Sequence, residues 1–431
     1  MFKTLKNAFK VPELRNKLLF TLLIIVLYRF GAVVPVPYVS SEALSYLMSQ
    51  SSGSIFQYLN ILSGDAFSKA TLFALSISPY ITASIVMQLL TIAIPALEKI
   101  AKSGEEGSKK INEITRYVTV VLGLITAYGY YMYMRNSNAL TNTGVFAAIV
   151  IIACYAAGAA LIMWLAEKIN EDGIGNGISI ILFANIVASG PTIAGIVLGY
   201  LTNATLKSWG VVVAELIVFI SIIIICFIVF VTNSERRLPI QYAKRTVGRK
   251  VYGGQNSVLP LKLNMSGVMP IIFANSIVSL PTTIALLFPT PKEGTFWYGF
   301  QKFFSYTSWF YAVMFFILII AFSYFYIAIS FNPIEVANNL KKNGGFIPGI
   351  RPGKPTSDYI TRILNRVTFI GALFLGIIAI FPLIVNAVSG SSLGSIAFGG
   401  SSLLIVVGVA LETYRELEAQ MTMRHYKGFL E

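Results

Sequence analysis

The sequence predicts an all-α polytopic membrane protein with ten transmembrane helices. Three observations carry that reading. Hydrophobic residues make up 55% of the 431-residue chain and charged residues only 12%, and the apolar residues fall in long blocks where a soluble domain would alternate. A bilayer core of about 30 Å is crossed by roughly 20 helical residues, and blocks of that length recur ten times. With the N-terminus placed in the cytoplasm, 27 of the 33 Lys and Arg residues fall in cytoplasmic segments and five in external ones. Basic residues resist translocation, so both termini are predicted inside.

The elements follow in order. Residues 1–17, MFKTLKNAFKVPELRNK, form a basic amphipathic segment; the apolar run after it has no small-residue cleavage site, which argues against a signal peptide. The first span covers 18–37. Residues 55–70, IFQYLNILSGDAFSKA, are too short and too polar to cross a bilayer and read as a short external helix before the second span at 71–93. Spans three to five cover 116–134, 145–165 and 177–200, an external stretch covers 201–209, and spans six to ten cover 210–232, 267–288, 309–331, 366–388 and 400–415. In the last, LLIVVGVAL passes into ETYRELEAQM, where Leu411, Tyr414, Leu417 and Met421 keep a helical stripe among charges. That helix is expected to run on into water, ahead of a polar tail at 422–431.

Two predicted cytoplasmic loops, 233–266 and 332–366, concentrate the charge. In ERRLPIQYAKRTVGRKVYGGQ, residues Arg236, Arg237, Lys244, Arg245, Arg249 and Lys250 alternate with β-prone residues and a Gly-Gly turn. In NPIEVANNLKKNGGFIPGIRPGKPT, Arg351 and Lys354 stand at tight turns. Two readings stay open: solvated loops that meet only anionic lipid, or docking posts for a large acidic or nucleic-acid-bearing partner. A phosphate cradle is excluded, because the GKP at Gly353 to Pro355 lacks the Ser or Thr and Pro348 stands where a first Gly is needed.

Little else suggests chemistry. Cys154 and Cys226 lie in different apolar blocks and read as core residues, and the single His425 lies in the polar tail. With no paired carboxylates and no Ser/His arrangement, neither an enzyme nor a cofactor is expected. The ionisable residues inside the spans are Arg29 and Glu215; ion-coupled transporters usually hold such groups at mid-membrane, so a conduit is favoured over a pump. The spans do hold Pro79, Pro191, Pro270, Pro281 and Pro382, with Thr82, Ser84, Gln88, Asn185 and Asn275. At membrane depth such groups must be buried in protein or face a wet cavity, and helix-to-helix hydrogen bonding is the ordinary alternative. GISIILFANIVASGPT (177–192) and GVMPIIFANSIVSLPT (267–282) align without gaps and share the Gly, one Ile, Phe-Ala-Asn, the Ser and Pro-Thr. This parallel similarity suits a shared lining role.

YRFGAVVPVPYV in the first span, SPYITASIVMQLL in the second, DGIGNGISIILFANI at the fifth, RRLPIQYAKR and LPLKLN before the seventh, GGFIPGIRPGKPT in the second loop and GGSSLLIVVGVALE in the tenth resemble, in order and end to end, the SecY/Sec61-alpha family. These are channel subunits of protein translocases. The resemblance implies two pseudo-symmetric halves of five spans, 18–200 and 210–421, hinged at 201–209 around an hourglass pore. It implies a waist of branched aliphatics at Ile77, Ile81, Ile178, Leu182, Ile272 and Ile405, which dewets and yet parts around a passing chain. Residues 55–70 become a plug, with Ile55, Leu59, Asn60, Leu62, Ser63, Gly64, Asp65 and Phe67, the Gly-Asp supplying its bend. A lateral gate between spans two and three and spans seven and eight would use Thr82, Gln88 and Asn275. The implied partners are SecE-like and SecG-like membrane subunits, the SecA motor ATPase, the ribosome, anionic lipid, and signal peptides and unfolded or nascent polypeptides, in a bacterial cytoplasmic membrane. A secondary transporter of a small solute is the competing function, and a membrane scaffold or receptor without a pore is a third.

Overall fold

A computed structural model describes residues 7–50, 60, 63–191, 194–195, 198, 207–242, 245–247, 250–252, 256–285, 295–304, 308–389 and 399–427. Its helices in chain order are α1 (Pro12–Gly31), α2 (Ser41–Gln50), α3 (Ser78–Ala93), α4 (Pro95–Ala101), α5 (Glu105–Asn136), α6 (Val145–Asp172) and α7 (Gly177–Ala188). There follow α8 (Lys207–Asn233), α9 (Met269–Ala285), α10 (Phe296–Phe303), α11 (Trp309–Ser330), α12 (Pro333–Lys342), α13 (Lys354–Ser389) and α14 (Gly399–Lys427). Each of the ten predicted spans overlaps one of these helices. Among the described residues, four helical segments are long and apolar enough to cross a membrane unaided, and α3 with α4 forms a bent pair that breaks by 106° at Pro95.

Local chemistry sets several starts. Proline opens α1, α3, α4 and α12, where its missing N–H costs no hydrogen bond. Asn176 caps α7 by accepting from the Ile178 and Ser179 amides, and Ser308 and Asn332 do the same for α11 and α12. One end is closed by a distant residue: Arg415 of α14 donates to the Thr232 carbonyl at 2.6 Å and to Asn233 Oδ1 at 2.7 Å, placing a cation on the carbonyl end of α8.

The outward faces are apolar. Leu19, Leu22, Leu23, Val26, Leu27 and Phe30 are exposed on α1, and Val218, Phe219, Ile222, Ile223, Phe227 and Phe230 on α8. Water would penalise such stripes, whereas lipid accepts them without cost. The inward faces of α1, α3, α7, α9, α11, α13 and α14 meet in one large hydrophobic cluster. A second cluster joins the segment before α3 to α5 and α6 through Phe67, Tyr130 and Tyr155.

Two features depart from the sequence expectations. The predicted second span is helical only from Ser78; residues 72–77 are turns, and Thr71 bridges Pro35. Positive φ at Ala70 (47°) and Ser76 (52°) prevents a helix from starting earlier, and Pro79 then supplies the start. This turned segment lies directly on α6: a Cβ on Gly158 would stand 2.0 Å from the Leu72 carbonyl oxygen. Secondly, the all-α expectation omits a sheet in the predicted cytoplasmic loops. β1 (Glu235–Tyr242) pairs antiparallel with β4 (Asn256–Lys262) and with β5 (Gly345–Phe346), while β2 (Arg245–Val247) and β3 (Lys250–Tyr252) form a separate hairpin. β5 belongs to the second basic loop, so the two loops share one sheet, sealed beneath by Leu238, Ile240, Leu261, Leu340, Ile347 and Ile360. At the same end, Ala8 of the N-terminal segment packs with Ile174 and Leu417, which ties it to α14.

Candidate functional site

A cavity of about 100 Å³ lies where α3, α5, α7, α9 and α14 converge. One side is apolar and built from Ile81 of α3, Leu182 of α7, Ile272 of α9 and Ile405 of α14. Four of the six expected waist residues therefore reach one space from four different helices. Ile77 and Ile178 do not line it, though they are buried in the same hydrophobic cluster. All six are at most 6% exposed. Leu182 and Ile272 occupy matching positions in the two similar segments, and both face this space.

The rest of the wall is different in kind. Thr82 of α3, Thr126 and Tyr130 of α5, and Asn275, Ser276 and Ser279 of α9 bring hydroxyl and amide groups to the space. These are the helices between which the gate is expected, and Thr82 and Asn275 lie on its two sides. Asn275 also accepts a hydrogen bond from the Tyr311 hydroxyl of α11 at 3.5 Å. Gln88 stays on its own helix, where its amide donates to Ser84 at 3.3 Å. Leu122, Thr126 and Tyr130 were not singled out from the sequence. Their spacing of four residues puts them on one face of α5, but that face is as common in ordinary packing.

The segment before α3 enters the same cavity through Phe67, Ala74, Leu75 and Ser76. Ile55, Leu59 and Leu62 lie outside the described residues; Asn60, Ser63, Gly64, Asp65 and Phe67 lie within them. Asn60 organises the turn. Its amide donates to Asp65 Oδ1 at 3.0 Å, its side-chain oxygen accepts from the Ser68 amide at 2.9 Å, and its carbonyl accepts from the Asp65 amide at 2.9 Å. Ser63 Oγ accepts from the Phe67 amide at 3.0 Å. Gly64 and Asp65 both have left-handed φ, 63° and 67°, so the expected bend is there, as consecutive turns. Two tyrosines hold the far end: Tyr130 donates to the Phe67 carbonyl at 2.6 Å and Tyr155 to the Ala70 carbonyl at 3.5 Å. The Phe67 and Tyr130 rings lie 4.5 Å apart.

The basic loops lie apart from this space. Arg236 and Arg237 are exposed on β1, and Arg237 pairs with Glu235 at 2.7 Å. Arg351 and Lys354 are exposed at the start of α13, where the Arg351 carbonyl accepts from Thr356 Oγ1 at 2.8 Å. Arg245 and Lys250 sit in the β2–β3 hairpin, and Lys244 and Arg249 lie outside the described residues. Burial, reinforced by the Arg415 guanidinium and opposed by Glu235 and Glu412, holds the Lys262 ammonium below the usual lysine range.

The SecY family profile matches residues 71–414, most of the chain and all of the cavity wall except Phe67. The chain belongs to the SecY family. Among its relatives, the protein translocase subunits SecY of Streptomyces scabiei and of Mycobacterium tuberculosis (strain ATCC 25618 / H37Rv) are 41% and 40% identical to it, each over 100% of both chains. Its fold is that of solved channels at lower identity. A protein-conducting channel superposes with a TM-score of 0.64 at 18% identity, covering 94% of this chain and 92% of the other. Sec61 in the canine ribosome–channel complex superposes with a TM-score of 0.61 at 17% identity and the same coverage. In this SecY-family chain, the branched aliphatic side chains and the hydroxyl-lined wall are two sides of one space.

Proposed function

We propose that this chain is the central subunit of a protein-conducting channel, and no enzyme, which passes signal-bearing polypeptides across a bacterial cytoplasmic membrane and releases apolar segments sideways into it. The observation that carries this is the convergence of Ile81, Leu182, Ile272 and Ile405 with Phe67, Thr82 and Asn275 on one cavity. Branched aliphatic groups give water and ions no hydrogen bonds, so the waist resists leakage at rest and yields to a chain of any sequence. Ile77 and Ile178 extend the waist behind the lining residues. The wall between α3 and α5 on one side and α9 and α11 on the other is the lateral gate. Through it an apolar stretch of roughly 20 residues moves to lipid in the favourable direction. Residues 55–70 act as the plug, since Phe67 already stands in the cavity wall.

The driving force comes from outside the chain. The shared sheet presents Arg236 and Arg237, and the neighbouring turn presents Arg351 and Lys354, as a basic face for a ribosome or a SecA-like motor. Arg245 and Lys250 add two charges to the sequence of the neighbouring hairpin, and anionic lipid is the further partner. The two halves, 18–200 and 210–421, hinge at 201–209 and are clamped by SecE-like and SecG-like helices, with both termini cytoplasmic. Reconstitution of the full chain with these subunits in vesicles tests the reading. Motor-dependent entry of a signal-bearing polypeptide is expected; concentrative uptake of a small solute without polypeptide entry would overturn it.

A further inference from the structure

Arg29, the one charge deep in the first span, is not used by the waist, the gate or the docking face, and the structure gives it a defined place. It occupies the last turn of α1, and its Nη1 lies 3.4 Å from Asn185 Oδ1, near the end of α7. A Cβ on Gly64 would stand 2.6 Å from the same Nη1 and 3.1 Å from both the carbonyl and the side-chain oxygen of Asn185. The guanidinium and Asn185 therefore form the seat on which the bend of residues 63–67 rests, a seat that only a glycine fits. Asn185 is fully buried and passes the contact on, its amide donating to Ser76 Oγ at 3.3 Å, beside the start of α3. The carbonyl ends of two helices, α1 and α7, face this point and favour a cation there. Beside Asn185 and Ser76 lies the buried Tyr28 hydroxyl. The site is thus a polar hinge inside an apolar bundle.

We propose that Arg29 is a positioning residue that latches the plug hinge in the closed channel, through Asn185 and the backbone at Gly64. The inference rests on the plug assignment above. The partner seen for the guanidinium is a neutral oxygen, Asn185 Oδ1, so the latch holds by a charge-assisted hydrogen bond.

The test uses the full chain with its accessory subunits in vesicles, with Cys154→Ala, Cys226→Ala and a Ser63→Cys reporter. Ser63 is fully buried, so a membrane-impermeant maleimide added on the side predicted to be external labels it slowly. Arg29→Leu is expected to raise the labelling rate about tenfold, the loss typical of one hydrogen bond to a charged group. Arg29→Lys, which keeps the charge but not the fork, is expected to fall between. Gly64→Ala is expected to raise labelling strongly beside Arg29 and less beside Leu at that position, a coupling that a merely structural residue would not show. Unchanged labelling in Arg29→Leu overturns the latch. Should that variant fail to assemble, unchanged labelling in both Arg29→Lys and Gly64→Ala overturns it. Resting ion leak, read in the same vesicles, separates the two ideas. Faster labelling with a matching leak supports both latch and plug; faster labelling in tight vesicles keeps the latch and refutes the plug.

Discussion

Tyr130→Phe isolates one atom of the closed state. The Tyr130 hydroxyl donates to the Phe67 carbonyl at 2.6 Å, and both residues are nearly inaccessible, at 1% and 3%. The ring contact at 4.5 Å survives in phenylalanine, so packing stays and only the donor goes. Withdrawing a buried donor from its acceptor costs about 1–3 kcal/mol, and the middle of that range is a factor of roughly ten to thirty in an equilibrium constant. If this bond holds the plug end against α5, the whole factor appears in the plug equilibrium. Potassium efflux from resting vesicles, normalised per channel, is then expected to rise by about that factor, with a melting temperature close to native. Tyr155→Phe, which removes a longer bond of 3.5 Å, is expected to raise efflux less. A native efflux with a clearly lowered melting temperature in Tyr130→Phe would refute the reasoning, because the bond would then belong to general packing.

Replacing Ile81 and Ile405 together by Gly is expected to make resting vesicles permeable to small ions, since both face the cavity and neither new residue can close it; tight vesicles would remove them from the seal. Arg351→Glu is expected to abolish export while leaving the chain inserted and folded, as its side chain is exposed; normal secretion would count against docking there. Arg415→Ala is expected to destabilise the fold by about 2 kcal/mol, because it strips two charge-assisted bonds from the end of α8, and thermal melting measures this directly.

The ten helical segments were legible because lipid imposes length and apolarity on each block independently of its neighbours. Residue-level roles were legible only through motif resemblance. Ile81 has the same composition as any lipid-facing isoleucine, and nothing in its local sequence says that Leu182 and Ile405 will meet it. The sheet escaped because β1 carries Arg236, Arg237 and Pro239, and owes its order to pairing with β4 beyond the intervening hairpin and with β5, about a hundred residues away in the chain; tertiary pairing overrides local preference there. The start of α3 was misplaced for a similar reason. TLFALSI is apolar enough for a helix, but left-handed backbone at Ala70 and Ser76 and contact with Gly158 hold it in turns. Arg29 was visible as an anomaly, and its partners Gly64 and Asn185 were singled out separately, yet only the fold brings the three together.

The shared sheet carries a mechanical implication. Both of its contributing loops flank helices of the second half alone, and β4 ends at Lys262, only seven residues before α9 begins at Met269. The link between them is stiff: Gly371 of α13 lies so close under it that a Cβ would stand 2.3 Å from the Leu263 carbonyl oxygen. A heavy body seated on the basic face therefore grips a handle whose shaft is the very helix bearing Ile272, Asn275 and Ser279. If the basic face docks a partner and the sideways opening lies between α3 and α9, torque applied at the membrane surface reaches that opening through α9, while α3 and α5 stay packed on α6.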